Sequence, residues 1–307
     1  MTDRKHHWLA LAGLAGTSLF WGGNALVARA VHDSIPPLAL SFWRWALCGL
    51  LMLPWMVRAW QRHRAFIRRH MLQIWILSLT SVAAFNSLLY LAAQHTTAIN
   101  ITLVNTLMPL ATVLCATLLL GHRLSVRESL AIVLGFAGVL VVITEGELAR
   151  VLSLSFNRGD LIMALAMLSW SLYSVLLKKW PMPLPHLDLL AVLVAFGLLQ
   201  ILPFYLWELS RTGPFALTPA NLMALGYVAI FPSLLAYAFW NYGVAVAGPG
   251  VAAMFSYVTP LLAAALAVPF LGESLLPAHY VGGALLFAGL RLSQTRRPPQ
   301  GPTVAKP

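Results

Sequence analysis

Apolar residues in this chain fall into ten blocks of roughly twenty, separated by short polar or proline- and glycine-marked breaks. The blocks lie near 8–31, 37–57, 71–94, 96–120, 126–144, 160–177, 186–207, 218–241, 248–270 and 277–293. At 1.5 Å rise per residue, about twenty helical residues cross roughly 30 Å of hydrocarbon. The pattern therefore predicts an all-α membrane protein with ten transmembrane helices. Breaks fall at Pro36-Pro37, at the basic stretch Arg58 to Arg69, at Gly121, and from Glu145 to Arg158. Further breaks lie at Pro181 to Pro185, Arg211 to Pro214, Gly248-Pro249-Gly250, and Gly272 to Pro277. The first block follows Arg4 and Lys5, as in a signal peptide, but it is longer than a signal core and is expected to stay as the first helix.

Composition sharpens this reading. Of 307 residues, 60% are apolar and 9% charged, whereas a soluble domain carries about a quarter charged residues. The net charge of +11 would fit a nucleic-acid binder only if the basic residues formed one folded face. Here they sit in the gaps between apolar blocks, so no nucleic-acid partner is expected. With the N-terminus in the cytoplasm, inner segments hold fifteen of the Lys and Arg residues and outer segments four, with Arg44 inside a span. That asymmetry predicts a multi-pass protein of the bacterial inner membrane with both termini cytoplasmic. Cys48 and Cys115 lie inside apolar blocks and form neither a disulfide framework nor a metal spacing. No cofactor or metal is expected, and the chain is compatible with a monomer in the lipid bilayer.

The two halves resemble one another. Met108-Pro109-Leu110 matches Thr259-Pro260-Leu261 at an offset of 151, and Gly121 matches Gly272 at the same offset. Phe136-Ala137-Gly138 likewise matches Phe287-Ala288-Gly289, while Trp21 aligns with Trp170 at an offset of 149. Five spans per copy make the second copy enter the membrane from the opposite side. Such inverted repeats place a site near the midplane, between the halves. The expected divisions are residues 1–147, residues 158–295, and a disordered cytoplasmic tail over 296–307.

These landmarks resemble the drug/metabolite transporter superfamily with two EamA-like domains, over about residues 8 to 293. The second copy carries Pro260-Leu261, then Leu271-Gly272-Glu273, then Gly283 to Gly289. The first carries Pro109-Leu110 and Leu120-Gly121, but His122 stands where the family usually has glutamate. Arg44 matches an arginine typical of the family's second span. Within the superfamily, the resemblance extends to YddG-type amino-acid exporters, and outward export is implied by it alone.

Polar and aromatic side chains deep in a bilayer are costly unless they serve packing or function. Trp21 and Asn24 share a helix face, as do their counterparts Trp170 and Tyr173. Asn86 and Tyr90 map at 151 onto Tyr237 and Asn241, and Asn105 maps onto Ser256. These ten residues are the candidate substrate-binding set, with helix-to-helix glue as the plainer alternative. Trp21 and Trp170 are expected to flank the site. Asn86 and Tyr90 are expected nearer the outer mouth, and Tyr237 and Asn241 nearer the inner one. Pro109 and Pro260 each remove a backbone hydrogen bond and are candidate hinges, or static kinks. Trp8, Trp43, Trp45, Trp55, Trp75 and Trp207 read as interfacial anchors. Arg44 could snorkel outward or take a carboxylate or backbone partner. Glu273 reads as a helix-dipole carboxylate.

None of the nine acidic residues lies mid-span, so neither proton nor sodium drive through a buried carboxylate is expected, with His95 as the weaker coupling candidate. No phosphate-binding loop suggests ATP drive. The reading is a non-enzymatic transporter that moves small neutral or zwitterionic metabolites by facilitated alternating access, aromatic and hydrophobic amino acids above all. The alternative is another cargo, such as a nucleoside, sugar or drug, with proton coupling. A seven-helix receptor fails on span count, and metalloprotease and hydrolase motifs are missing.

Overall fold

The computed structural model describes residues 2–96, 98–144, 146, 147, 149, 157–259, 262 and 277–294. Among them there is no strand. The first half holds α1 (Thr2–Ala30), α2 (Pro37–Leu51), α3 (Leu53–Arg69), α4 (Met71–Ser78), α5 (Ala84–Ala93), α6 (Ala98–Asn105), α7 (Met108–Leu120) and α8 (Val126–Ile143). The second holds α9 (Arg158–Lys179), α10 (His186–Thr212), α11 (Pro219–Ala229), α12 (Ala236–Ala247), α13 (Pro249–Met254) and α14 (Pro277–Gln294). Six helical stretches are long and apolar enough to cross a membrane: Lys5–Ala28, Met71–Ala93, Leu103–Leu120, Arg158–Lys179, His186–Thr212 and Pro219–Ala247. The pair α2 and α3, bent by 69° at their junction, would make a seventh.

Local chemistry sets the ends. Pro37 opens α2 and Pro219 opens α11, at positions where the missing N–H has no helical partner anyway. Asn157 caps α9 in a reciprocal box with Asp160, and Ser125 caps α8 in a second box with Glu128. Gly121 ends α7 with a φ of 64°, a conformation that glycine adopts without steric cost. His122, in the place of the family's glutamate, lies 2.9 Å from the Glu128 carboxylate.

The block expected to span 37–57 is a helix only to Leu51 before the chain turns. The reason is Pro54 at the start of α3 together with the basic residues that follow. α3 buries only Ala59 and Ile67, and leaves Leu53, Val57 and Trp60 exposed beside Arg62, Arg64, Arg68 and Arg69. α10 is tied down at both ends, to α2 at one and to α3 at the other. The Glu208 carboxylate accepts from the backbone N–H groups of Leu38 at 3.1 Å and Ala39 at 2.7 Å, where α2 has unsatisfied donors. At the other end Asp188, 1% exposed, pairs with Arg58 of α3.

α8 packs on α14 through small residues. A Cβ on Gly138 would lie 2.7 Å from the Gly282 carbonyl oxygen, and one on Gly282 would lie 2.7 Å from that of Gly138. Only glycine lets the two backbones come this close, the usual device where lipid supplies no hydrophobic drive.

Candidate functional site

Two helices are interrupted at equivalent places. A π-turn, Leu79–Ala83, joins α4 to α5, and another, Ile230–Leu235, joins α11 to α12. Their first residues, Leu79 and Ile230, are separated by the same 151 positions as Asn86 and Tyr237. A π-turn carries an extra residue and leaves carbonyls free for side chains. In the first half the Ser81 carbonyl accepts from Asn86 Nδ2 at 3.1 Å and from the Tyr237 hydroxyl at 2.8 Å. In the second, the equivalent Pro232 carbonyl accepts from Arg44 Nη2 at 2.8 Å and Trp21 Nε1 at 3.3 Å.

Between the π-turns runs a row of tyrosine–asparagine pairs. Asn86 Nδ2 donates to the Tyr237 hydroxyl at 2.7 Å, so two residues equivalent in the repeat meet each other. The Tyr90 hydroxyl donates to Asn24 Oδ1 at 3.0 Å, and the Tyr173 hydroxyl donates to Asn241 Oδ1. Tyr90 is the counterpart of Asn241 and Asn24 that of Tyr173, so both halves build the same bond with the residue types exchanged. All six side chains are 3% exposed or less. The expected split of Asn86 to one mouth and Tyr237 to the other does not hold, because they are hydrogen-bonded to each other.

Aromatic rings pack around this row. Trp21 lies 5.0 Å from both Trp170 and Trp240, and Trp170 lies 5.3 Å from Trp240, 4.9 Å from Tyr237 and 4.8 Å from Phe85. Trp170 is wholly buried and Trp21 partly so. Several buried polar atoms have no partner among the described residues: Asn86 Oδ1 and Asn241 Nδ2 in the row, Trp170 Nε1 in the rings around it, and Ser256 Oγ and Thr259 Oγ1 on the α13 side. Among the described residues, therefore, Ser256 is buried but unbonded and half-buried Asn105 makes no side-chain hydrogen bond. Neither is bonded to the tyrosine–asparagine row.

Pro109 sits in the first turn of α7, just after a break at Thr106–Leu107. It opens a new helix rather than kinking a continuous one. Pro260 and Glu273 lie outside the described residues, as does the tail expected to be disordered. The 3₁₀ turn Phe255–Tyr257 stands in the second half where α6 ends in the first.

Two further expectations need correcting, and the alternatives for Arg44 resolve. Of the alternatives open for Arg44, the backbone partner holds and snorkelling does not: it is 0% exposed and bonded inside the bundle, with Nη2 on the Pro232 carbonyl, because its helix face meets the second π-turn. The interior of the bundle thus contains a buried charge. Trp45, expected as an interfacial anchor, is also wholly buried, its ring 4.8 Å from Tyr237. His95 is exposed at the end of α5, its Nδ1 3.3 Å from Arg158, and so is badly placed to couple protons at the core. Trp240 was missed, although it shares a helix face with Tyr237 at a spacing of three.

A cavity of about 420 Å³ opens where α9 ends and α10 begins, and reaches the row at Asn241. Leu177, Lys178, Met182, His186 and Asn241 line it, and Asn241 is where the unpartnered amide lies.

The profile of the EamA-like transporter family matches residues 8–144 and 157–295. An uncharacterized transporter of Archaeoglobus fulgidus is 28% identical over 97% of this chain and 99% of its own length. The uncharacterized transporter YyaM of Bacillus subtilis (strain 168) is 24% identical over 90% of each chain. The uncharacterized inner membrane transporter YedA of Escherichia coli (strain K12) is 25% identical over 88% of this chain and 86% of its own. One solved crystal structure superposes with a TM-score of 0.72 at 20% identity, covering 94% of this chain and 97% of that one, which supports the same fold. With two matched copies filling most of its length, the chain belongs to the EamA-like transporter family.

Proposed function

We propose that this transporter moves small zwitterionic metabolites across the bacterial inner membrane, aromatic and hydrophobic amino acids first among them, by alternating access and without ATP. In this reading the ten apolar blocks are ten spans, arranged as two inverted five-helix repeats with both termini in the cytoplasm. The proposed direction is export.

One observation carries the reading. Asn86 Oδ1 and Asn241 Nδ2 of the row, and Trp170 Nε1 in the rings against it, are buried without partners among the described residues. Buried polar groups are almost always satisfied, and each orphan costs about 1–3 kcal/mol. A helix-gluing network would gain by pairing them, whereas a substrate site leaves them for its ligand. Asn86 supplies an acceptor suited to an ammonium group, since its Nδ2 is already committed to the Ser81 and Tyr237 oxygens. The tryptophan cluster suits an apolar or aromatic side chain.

The cavity beside Lys178 lies on the cytoplasmic side in this topology and serves as the inner vestibule, ending at Asn241. Breaks in paired positions, at Thr106–Leu107 before Pro109 and at Phe255–Tyr257 before Pro260, let half-helices rock as the route changes sides. Among the described residues no carboxylate accepts from the row, which favours facilitated movement over ion coupling. Counterflow of labelled phenylalanine or leucine in proteoliposomes tests the reading. Exchange that persists without ion gradients is expected. Exchange that collapses when the proton gradient is removed rejects uniport, and exchange of nucleosides or sugars in place of amino acids rejects the cargo.

A further inference from the structure

Among the described residues Arg44 is the fully buried cation of the aromatic core, and its surroundings are unbalanced. Its Nε donates to the Ser233 hydroxyl, Nη1 to Asn24 Oδ1 at 3.3 Å and the Tyr90 hydroxyl at 2.8 Å, and Nη2 to the Pro232 carbonyl at 2.8 Å. Every one of these acceptors is neutral. No aspartate or glutamate among the described residues forms an ion pair with it. The Trp45 and Tyr90 rings, centred 5.2 and 5.9 Å from the guanidinium carbon, spread some of the charge without cancelling it. A guanidinium keeps its charge in protein interiors. A buried ion without a counter-ion is costly, and a sequence that needed only packing here would do better with an apolar side chain. The second half does so: at the offset aligning Trp21 with Trp170, Arg44 falls on Leu193, which is 0% exposed.

The groups around Arg44 also belong to the candidate site. Asn24 and Tyr90 form one end of the tyrosine–asparagine row. The Pro232 carbonyl that holds Nη2 also holds Trp21 Nε1, so the charge and the first tryptophan of the cluster share an acceptor. A planar carboxylate matches the two terminal nitrogens of a guanidinium better than a hydroxyl and a carbonyl drawn from different helices do.

We propose that Arg44 is the anion-recognising group of the binding site, and that a substrate carboxylate takes the places of the Tyr90 hydroxyl and the Pro232 carbonyl on Nη1 and Nη2. This rests on the transport reading above and narrows it: cargo must carry a carboxylate, which neutral sugars, nucleosides and polyamines lack. On exchange, Tyr90 keeps Asn24 and the Pro232 carbonyl keeps Trp21, so no displaced group is orphaned. Binding thereby shifts the second π-turn relative to α2 and gives the ligand a grip on the two halves at once.

The test compares L-phenylalanine with L-phenylalaninamide, which differs only at the carboxylate. Both compete in counterflow against labelled phenylalanine by the wild type, Arg44→Lys and Arg44→Gln in proteoliposomes, with 3-phenylpropionate and its methyl ester as a second pair in thermal-shift assays. Losing a charge-assisted bond should weaken competition by roughly tenfold or more, so the wild type should prefer the acid by that factor. Arg44→Gln should bring the acid-to-amide ratio near one, and Arg44→Lys should restore part of it. A purely structural arginine would lower both ligands together and leave the ratio intact, which overturns the proposal. If the variants do not fold, the wild-type comparison decides alone: equal competition by acid and amide overturns it. If no amino acid exchanges, the cargo reading fails. In that case stabilisation by phenylpropionate but not by its ester still upholds Arg44, and equal effects of the two sink it.

Discussion

Exchanging the residues of one tyrosine–asparagine pair tests whether the two halves build one site from a shared plan. Tyr173→Asn and Asn241→Tyr together recreate, in the second half, the arrangement that Asn24 and Tyr90 form in the first. Each single change should be damaging. Tyr173 is 0% exposed, and loss of its ring leaves a cavity, which in cores costs about 3–5 kcal/mol for aromatic truncation. Asn241, 2% exposed, has little room for a tyrosine, and overpacking costs about 1–3 kcal/mol. The pair, however, conserves total volume and re-forms the bond, whose membrane value averages about 0.6 and reaches about 1.7 kcal/mol. The double variant should therefore be more stable than the sum of the singles by at least ~1.5 kcal/mol, or roughly tenfold in the folded fraction. Denaturation of the purified variants in mixed micelles, followed by circular dichroism, measures this. Additivity within ~0.5 kcal/mol would refute the equivalence of the two pairs.

Other outcomes follow from particular contacts. Trp21→Ala and Trp170→Ala should abolish most counterflow while membrane insertion stays normal; wild-type flux in both would remove them from the site. Arg58→Ala should cost about 3–5 kcal/mol by leaving the Asp188 carboxylate buried, and Asp188→Ala should cost less, since Arg58 is 40% exposed and can rehydrate; equal losses in thermal melts would contradict this. Gly282→Leu should destabilise the α8–α14 contact by about 1–3 kcal/mol or more, where Gly226→Leu, with nothing near its Cβ, should be almost neutral. At Glu128, burial pushes the carboxyl up, but the Ser125 hydrogen bonds and His122 outweigh this and hold it below the usual range. A folded value below the unfolded one gives stability that is complete above the unfolded value and lost as pH falls through the folded one. Acid should thus loosen the α8 cap in the wild type, and Glu128→Gln should flatten that part of the melting-temperature profile.

Much of this was legible in the sequence, because hydrophobic period and internal offset are local properties. The blocks at 71–94 and 186–207 and the pairing of Trp21 with Trp170 needed only counting. Six of the ten candidate site residues, Asn24, Asn86, Tyr90, Tyr173, Tyr237 and Asn241, form the row. Their partners could not be read, since a hydrogen bond between positions 86 and 237 depends on how the two halves approach. The π-turns left no period signal, as one added residue is lost among apolar neighbours. For Arg44 the sequence left snorkelling and a backbone partner open, and it misplaced Trp45, because distance along a span does not give depth, whereas helix rotation turns both toward the core. Trp240 was hidden in a run with Phe239 and Tyr242, where nothing local says which ring faces inward.

The two π-turns have a consequence for the history and tolerance of the chain. Since each matched half holds the extra residue at the same register, the insertion belongs to the repeated unit itself and not to one copy. The offset grows from 149 at Trp170 to 151 at Ile230, so later length changes went into the stretch between, where six residues connect α10 to α11 against one between α3 and α4. Deleting one residue from either turn would rotate everything after it by about 100°, the step of an α-helix, and swing Asn86 or Tyr237 away from its counterpart. Length is free in the connecting loops and fixed in the bends.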